Sequence, residues 1–285
     1  MKSKPLTVKS VILRVVRVAL AAYLGVVMLM FLFQSRLVFV PSREISVTPK
    51  EVGLEFEEVR FKSADGTVLS GWFVPAKDAR ATVLYCHGNG GNISDRLDTL
   101  SVLNGLGLNV FMFDYRGYGL SEGKPTEKGT YEDAEGAWKY LTEVRKEPAE
   151  RIIICGHSLG GAIAAHLARD HAPGAVVLES TFPSMLDMGR RLYPWLPVRW
   201  LLRFKFDTAE YLAGHKYPLL MVHSVEDGLV PYEMGRRLFE GAGEPKEFLE
   251  IRGGHDDGFM TSGRVYTDGW NRFLNQYLPR PPQGG

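Results

Sequence analysis

An α/β fold built on a mostly parallel sheet is predicted for this chain by three features. Short apolar runs alternate with helical patterns, the runs are too continuous for strands with one wet face, and polar glycine-rich turns follow their C-terminal ends. In such a sheet ligands bind beyond the carboxyl ends of the strands, so functional residues are expected in those turns.

Taken in order, residues 56–61 and 68–74 read as strands around the turn "SADG". Buried strands follow in "ATVLYC" (81–86), "NVFMFDY" (109–115), "RIIIC" (151–155), "AVVLES" (175–180), "YPLLMVHS" (217–224) and "EFLEIRGG" (247–254). Helical patterns occupy 94–106, 131–145, 160–169, 232–241 and 258–278. With 285 residues, 45% of them hydrophobic, the chain can bury a full core. A net charge of +1 gives no reason to expect a nucleic acid or an acidic partner. The two cysteines, Cys86 and Cys155, each close an apolar run and read as buried thiols.

The N-terminus is the compositional outlier. Residues 18–33, "VALAAYLGVVMLMFLF", carry no charge, and the apolar stretch extends back to Val11 across Arg14 and Arg17. Those 23 residues would span roughly 34 Å as a helix, enough to cross a bilayer core. The small-residue triplet at 19–21 lies too close to Arg17 to leave room for the apolar segment that precedes signal cleavage. An uncleaved anchor is therefore expected, in contact with membrane lipid. Lys2, Lys4, Lys9, Arg14 and Arg17 precede it, against Arg36 and Arg43 after it, which places the N-terminus in the cytoplasm and the remainder of the chain on the opposite, periplasmic or luminal/extracellular, side. The expected organisation is a tail and anchor over 1–36, one domain over 37–278 and a disordered tail over 279–285.

Two serines match the pattern G-x-S-x-G. Ser158, in "GHSLGG", follows a β-branched run and opens a helix rich in small residues. A sharp strand-to-helix turn strains the backbone of its central residue, and glycines on either side avoid the clashes. Ser121, in "GLSEG", follows no strand and precedes no helix, and reads as a loop serine. Ser158 is the candidate nucleophile, with a structural serine as the bland alternative.

A serine hydroxyl needs a histidine to take its proton and a carboxylate to orient that histidine. Of seven histidines, His255 alone follows the last strand, in "IRGGHDDGF". His166 and His171 fall on or past the helix after Ser158, where surface roles are expected. The acid is sought in "VHSVEDGLVP", where Asp227 is the first choice and Glu226 the second. Two N–H donors for an oxyanion are expected from Leu159 and from Asn89 of "HGNGG". The histidine, acid and cysteine spacings match no metal site, and no cofactor is implied.

Together "HGNGG", "DYRGYGLSEG", "GHSLGG" and "GGH" resemble the serine α/β-hydrolase superfamily, and with the anchor and "FQSRLVFVPS" the chain is similar to its membrane-anchored abhydrolase-domain branch. That resemblance implies an α/β-hydrolase fold with an eight-stranded sheet whose second strand alone is antiparallel. It supports Ser158, Asp227 and His255 by motif position, and it places a helical cap over 181–216. One departure is Ser224, where relatives usually carry glycine. In the cap, Trp195, Trp200 and Phe204 are the candidate substrate contacts among Arg190, Arg191, Arg199, Arg203 and Lys205. Such a segment suits either a small amphipathic lid or a surface that meets anionic headgroups and admits an acyl chain. The expected activity is hydrolysis of an acyl ester or thioester. An aminopeptidase-like hydrolase and an inactive binding module are the alternatives.

Overall fold

The computed structural model describes residues 7–280. Its central sheet comprises β1 (Glu57–Lys62), β2 (Val68–Val74), β3 (Ala81–Cys86), β4 (Leu108–Asp114), β5 (Ile152–His157), β6 (Ala175–Glu179), β7 (Leu219–Ser224) and β8 (Lys246–Ile251). The order across it is β1-β2-β4-β3-β5-β6-β7-β8. Among the described residues β2 pairs antiparallel with both neighbours, and every other pairing in this sheet is parallel.

The unbroken apolar runs are explained by two cores, one on each face. Successive side chains of a strand point to opposite faces. Leu84 and Cys86 of β3 therefore join Ile152 and Ile154 of β5 on one side, while Val83 and Tyr85 join Ile153 and Cys155 on the other. The first core is closed by α4 (Glu127–Lys139), α5 (Leu159–Asp170) and α9 (Tyr232–Gly241), and the second by α3 (Leu97–Gly105) and α11 (Arg264–Tyr277). Both cysteines are buried and free, and burial pushes the Cys86 thiol up to about 12.

Element boundaries move where capping outweighs periodicity. Helix α4 starts at Glu127, not 131, because the Thr126 hydroxyl accepts the Gly129 N–H at 3.0 Å. The helical pattern over 258–278 divides at Gly263 into α10 (Gly258–Ser262) and α11. Asn92 is fully buried and donates its amide to the carbonyls of Ser42 and Glu44, tying the turn after β3 to the segment before β1.

At the N-terminus α1 (Val8–Leu32) runs 25 residues with none buried, and is long and apolar enough to cross a membrane. Lys2 and Lys4, which contribute to the charge asymmetry, lie outside the described residues. A turn at Phe33 leads into α2 (Gln34–Val38), and Val40–Pro41 then pairs in parallel with Gly90–Gly91. The segment over 181–216 folds as α6 (Met185–Leu192), α7 (Val198–Leu201) and α8 (Thr208–Leu212). Of the C-terminal tail, Pro279 accepts a hydrogen bond from Arg151 at 2.9 Å, and 281–285 lie outside the described residues.

Candidate active site

Strand β5 ends at His157 and α5 begins at Leu159, so Ser158 alone makes the turn, with φ +54° and ψ −119°. A non-glycine residue held there costs roughly 1–3 kcal/mol and persists only when its surroundings fix it. Three bonds do so: Ser158 N–H to the Glu179 carbonyl at 2.9 Å, Gly161 N–H to the Ser158 carbonyl at 3.0 Å, and the Thr181 hydroxyl to the same carbonyl at 2.8 Å. The flanking glycines are a steric requirement. A Cβ on Gly156 would strike the Gly160 carbonyl, and one on Gly160 would strike the carbonyls of Cys86 and His87.

His255 reaches this turn from the loop after β8. Its Nε2 lies 2.9 Å from Ser158 Oγ and its Nδ1 2.8 Å from Asp227 Oδ2. The other Asp227 oxygen accepts the N–H groups of Leu229 at 2.9 Å and Val230 at 2.8 Å. Burial alone would raise the Asp227 carboxyl, but His255 and these backbone donors outweigh it and hold the group below the usual carboxylate range. The structure thus brings together one hydroxyl, one imidazole and one carboxylate from three distant loops. Such a chain can pass a proton from a serine to an imidazole whose positive form is stabilised from behind.

The two supporting loops are tied to each other. The Ser224 hydroxyl donates to the Gly253 carbonyl at 2.5 Å and accepts the Glu226 N–H at 3.0 Å, while the Glu226 carboxylate accepts the Gly253 N–H at 2.9 Å. Ser224 therefore joins the acid loop to the histidine loop. Glu226, the second candidate acid, holds the backbone beside His255 rather than its ring.

His157 donates from Nε2 to the His255 carbonyl at 2.9 Å, and their ring centroids lie 4.9 Å apart. Burial, followed by the neighbouring His255 ring, pushes His157 down to about 4, so the neutral form is kept at neutral pH. Ligand-capable atoms of His157, His255 and the exposed Asp256 lie within 4.8 Å of one another. His157 has its Nε2 engaged and His255 has both ring nitrogens engaged, so these groups suit a proton relay better than a cation.

The loop bearing Asn89 is fixed from three sides. Its carbonyl accepts the Val40 N–H at 3.0 Å and the Tyr118 hydroxyl at 2.8 Å, and its side-chain amide donates to the Val38 carbonyl at 2.9 Å. The Leu159 N–H, first in α5, has no acceptor within its helix. His87 lies buried beneath this loop, donates from Nδ1 to the Gly88 carbonyl at 2.7 Å and faces Asp114 at 3.5 Å. Ser121 is buried and structural: its hydroxyl donates to the Asp114 carbonyl at 2.6 Å and accepts the Ser70 N–H at 2.9 Å.

Two spaces meet at Ser158. One is an apolar cavity of about 160 Å³, and the other a polar cleft of about 440 Å³ edged by Arg96, His157, His255 and Asp256. The cap aromatics picked out in the sequence do not line the cavity. Trp200 is 83% exposed, Trp195 is half exposed beside Tyr23, and Phe204 is buried against Phe39 and Phe206. Helical spacing is the reason: Val198, Leu201 and Leu202 share one face around α7 and line the cavity, while Trp200 falls on the other. His166 and His171, expected in surface roles, are half-buried and edge a cleft beside α4. His166 stacks on Tyr131 at 3.7 Å, and His171 pairs with Glu135 at 2.7 Å over Trp138. The cavity wall that the sequence reading missed comes from Met30, Phe31, Gln34, Leu37 and Val38. The available signal was Gln34, a lone neutral polar residue closing an apolar run.

An eight-stranded sheet of this order, with a strained serine between its fifth strand and the following helix, defines the α/β-hydrolase fold. A family model described as "Hydrolase_4: Serine aminopeptidase, S33" matches residues 77–209. The uncharacterized protein Rv2307c of Mycobacterium tuberculosis is 37% identical over 255 residues, covering 88% of this chain and 91% of that protein. The α/β hydrolase domain-containing protein WAV2 of Arabidopsis thaliana is 33% identical over 280 residues, covering 89% and 91%. Protein bem46 of Schizosaccharomyces pombe is 33% identical over 215 residues, covering 72% of each. An esterase of Pyrococcus furiosus, Pf2001, shares the fold with a TM-score of 0.70 at 23% identity, over 85% of this chain and 98% of that one. The chain belongs to the serine α/β-hydrolase superfamily, with WAV2 and bem46 among its relatives.

Proposed function

We propose that this chain is a membrane-anchored serine hydrolase that cleaves carboxylic ester or thioester bonds of acyl substrates. The observation that carries the reading is the continuous hydrogen-bonded chain Ser158–His255–Asp227 beside an apolar cavity. Ser158 Oγ attacks the substrate carbonyl carbon while its proton passes to His255 Nε2. The Leu159 and Asn89 N–H groups hold the resulting oxyanion, each such donor being worth roughly 10²–10³ in rate. The C–O or C–S bond then breaks, the leaving group takes the proton from Nε2, and water repeats the sequence on the acyl-enzyme. Asp227 keeps the His255 proton on Nδ1 throughout.

The aminopeptidase description of the matched family favours a second reading, a serine hydrolase acting on N-terminal residues. A free amine calls for a carboxylate where it binds, and the apolar cavity has none among its lining residues. That composition favours an acyl chain. An anchor in α1 fits a helix apolar on every side that the protein leaves unburied. Its charge flanks favour a cytoplasmic N-terminus with the catalytic domain across the membrane.

A fluorophosphonate tests the chemistry directly. Full-length protein should be labelled at Ser158, the Ser158→Ala protein should not, and p-nitrophenyl esters should be turned over well ahead of aminoacyl amides. Folded protein that resists the label, or amides cleaved faster than esters, would sink this reading.

A further inference from the structure

The anchor of this protein does more than hold it in place. Where α1 ends, the chain meets the cap through both ends of one amide. Gln34 Nε2 donates to the Leu201 carbonyl at 2.6 Å, and its Oε1 accepts the Arg203 N–H at 2.9 Å. Gln34 is 9% exposed, so this pair of hydrogen bonds locks the end of α1 to the cap away from water. A second contact lies higher on the helix, where the Tyr23 hydroxyl donates to the Trp195 carbonyl at 3.2 Å and the two rings pack edge to face. Tyr23 stands about 15 Å before the helix end, at 1.5 Å per residue. If α1 spans a bilayer, the cap around Trp195 therefore reaches into the leaflet on the domain's side.

The cap is built for that position. Leu192, Trp195 and Trp200 are exposed on the cap, interspersed with exposed Arg190, Arg191 and Arg199, and Leu192 also lines the cavity. Apolar and aromatic side chains among arginines are the composition of a surface at the headgroup boundary. The cavity itself completes the case. It reaches from Ser158 to Met30 and Phe31 in the last turn of α1, and to Leu37 and Val38 of α2. One wall of the space next to the nucleophile is thus the membrane helix.

We propose that the end of the anchor is a structural part of the acyl-binding chamber, and that the chamber loads sideways, from the adjoining leaflet, with the acyl chain of a membrane lipid ester. This rests on the hydrolase reading above and names the substrate class of that site. The chain would lie between α2 and the cap, its carbonyl at Ser158, and its polar remainder in the cleft beside Arg96. That cleft is lined by Arg96 together with Asp95 and Asp256, so it offers charges of both signs, as a zwitterionic headgroup requires.

The test uses the full chain in phosphatidylcholine nanodiscs and two fluorophosphonates, one bearing an ethyl group and one a decyl chain with a terminal diazirine. The decyl probe should label Ser158 at least tenfold faster, and photolysis should link its chain to residues 30–38. The ratio of kcat/KM for p-nitrophenyl decanoate over acetate should fall at least tenfold in Met30→Trp, and stay within twofold of the parent in Leu20→Trp, which faces away from the cavity. Equal labelling rates, or crosslinks confined to residues outside 30–38, would overturn the proposal while leaving the hydrolase intact. No labelling by either probe would remove the hydrolase reading beneath it.

Discussion

At the level of single residues, the division of labour between Glu226 and Asp227 makes the sharpest prediction. Both are acidic, adjacent and in the same loop, so sequence could rank them only by motif position. Coordinates separate them by target: Asp227 bonds the His255 ring, and Glu226 bonds the Gly253 backbone. Asp227→Asn should keep the shape and lose about 10⁴ in kcat, because the amide favours the wrong imidazole tautomer. Glu226→Gln weakens one supporting bond and should cost less than about tenfold. Steady-state ester kinetics on both variants checks this, and a larger loss in Glu226→Gln would reverse the assignment. Ser158 and His255 were legible because sterics demand glycines around the one and loop order isolates the other. The linking role of Ser224 was not, since it depends on which carbonyl the hydroxyl happens to face.

At the level of elements, the strands were read well and the short pieces were not. A buried parallel strand announces itself as an unbroken apolar run, and all six such runs became the parallel strands β3–β8 of the sheet. The pairing of Val40–Pro41 with Gly90–Gly91 carries no such signal, being two residues against two. Yet it ties the segment after α1 to the proposed oxyanion loop. The boundary expected at residue 36 likewise cuts through α2, which lines the cavity. Periodicity marks where a helix is apolar, not what its end will touch. Tyr118 tests the loop as an element, because its hydroxyl is one of the bonds fixing the Asn89 carbonyl. Tyr118→Phe should lower kcat about three- to tenfold, the worth of roughly one hydrogen bond, with little change in KM. An unchanged kcat would mean that the strand pair alone positions Asn89.

On the scale of the whole molecule, half-buried His157 and buried Glu179 should give stability opposing slopes with pH. His157 is pushed from 6.5 down to about 4 by burial and by His255, so between those values the unfolded chain binds the extra proton. Stability from this site therefore rises as pH climbs from 4 to 6.5, and is lost on acidification. Glu179 has the opposite sign. Burial lifts its carboxyl from 4.5 to about 7, against the opposing pull of the Tyr266 hydroxyl bonded at 2.5 Å. Here the folded state holds the proton, so stability falls as pH rises from 4.5 to 7. Both groups flank the nucleophile: Glu179 receives the Ser158 N–H on its backbone, and His157 precedes it in the chain. Measured by thermal denaturation across pH 4–7, Glu179→Gln should steepen the loss of stability on acidification, and His157→Gln should flatten it. Parallel curves for both variants and the parent would mean that neither group titrates as its surroundings require. The same pair should set where the turn at Ser158 first loosens, because each holds one of the strands, β5 and β6, between which Ser158 is strained. Fluorophosphonate labelling in the parent should accordingly fail on acidification before the sheet unfolds, and in His157→Gln the two events should draw together.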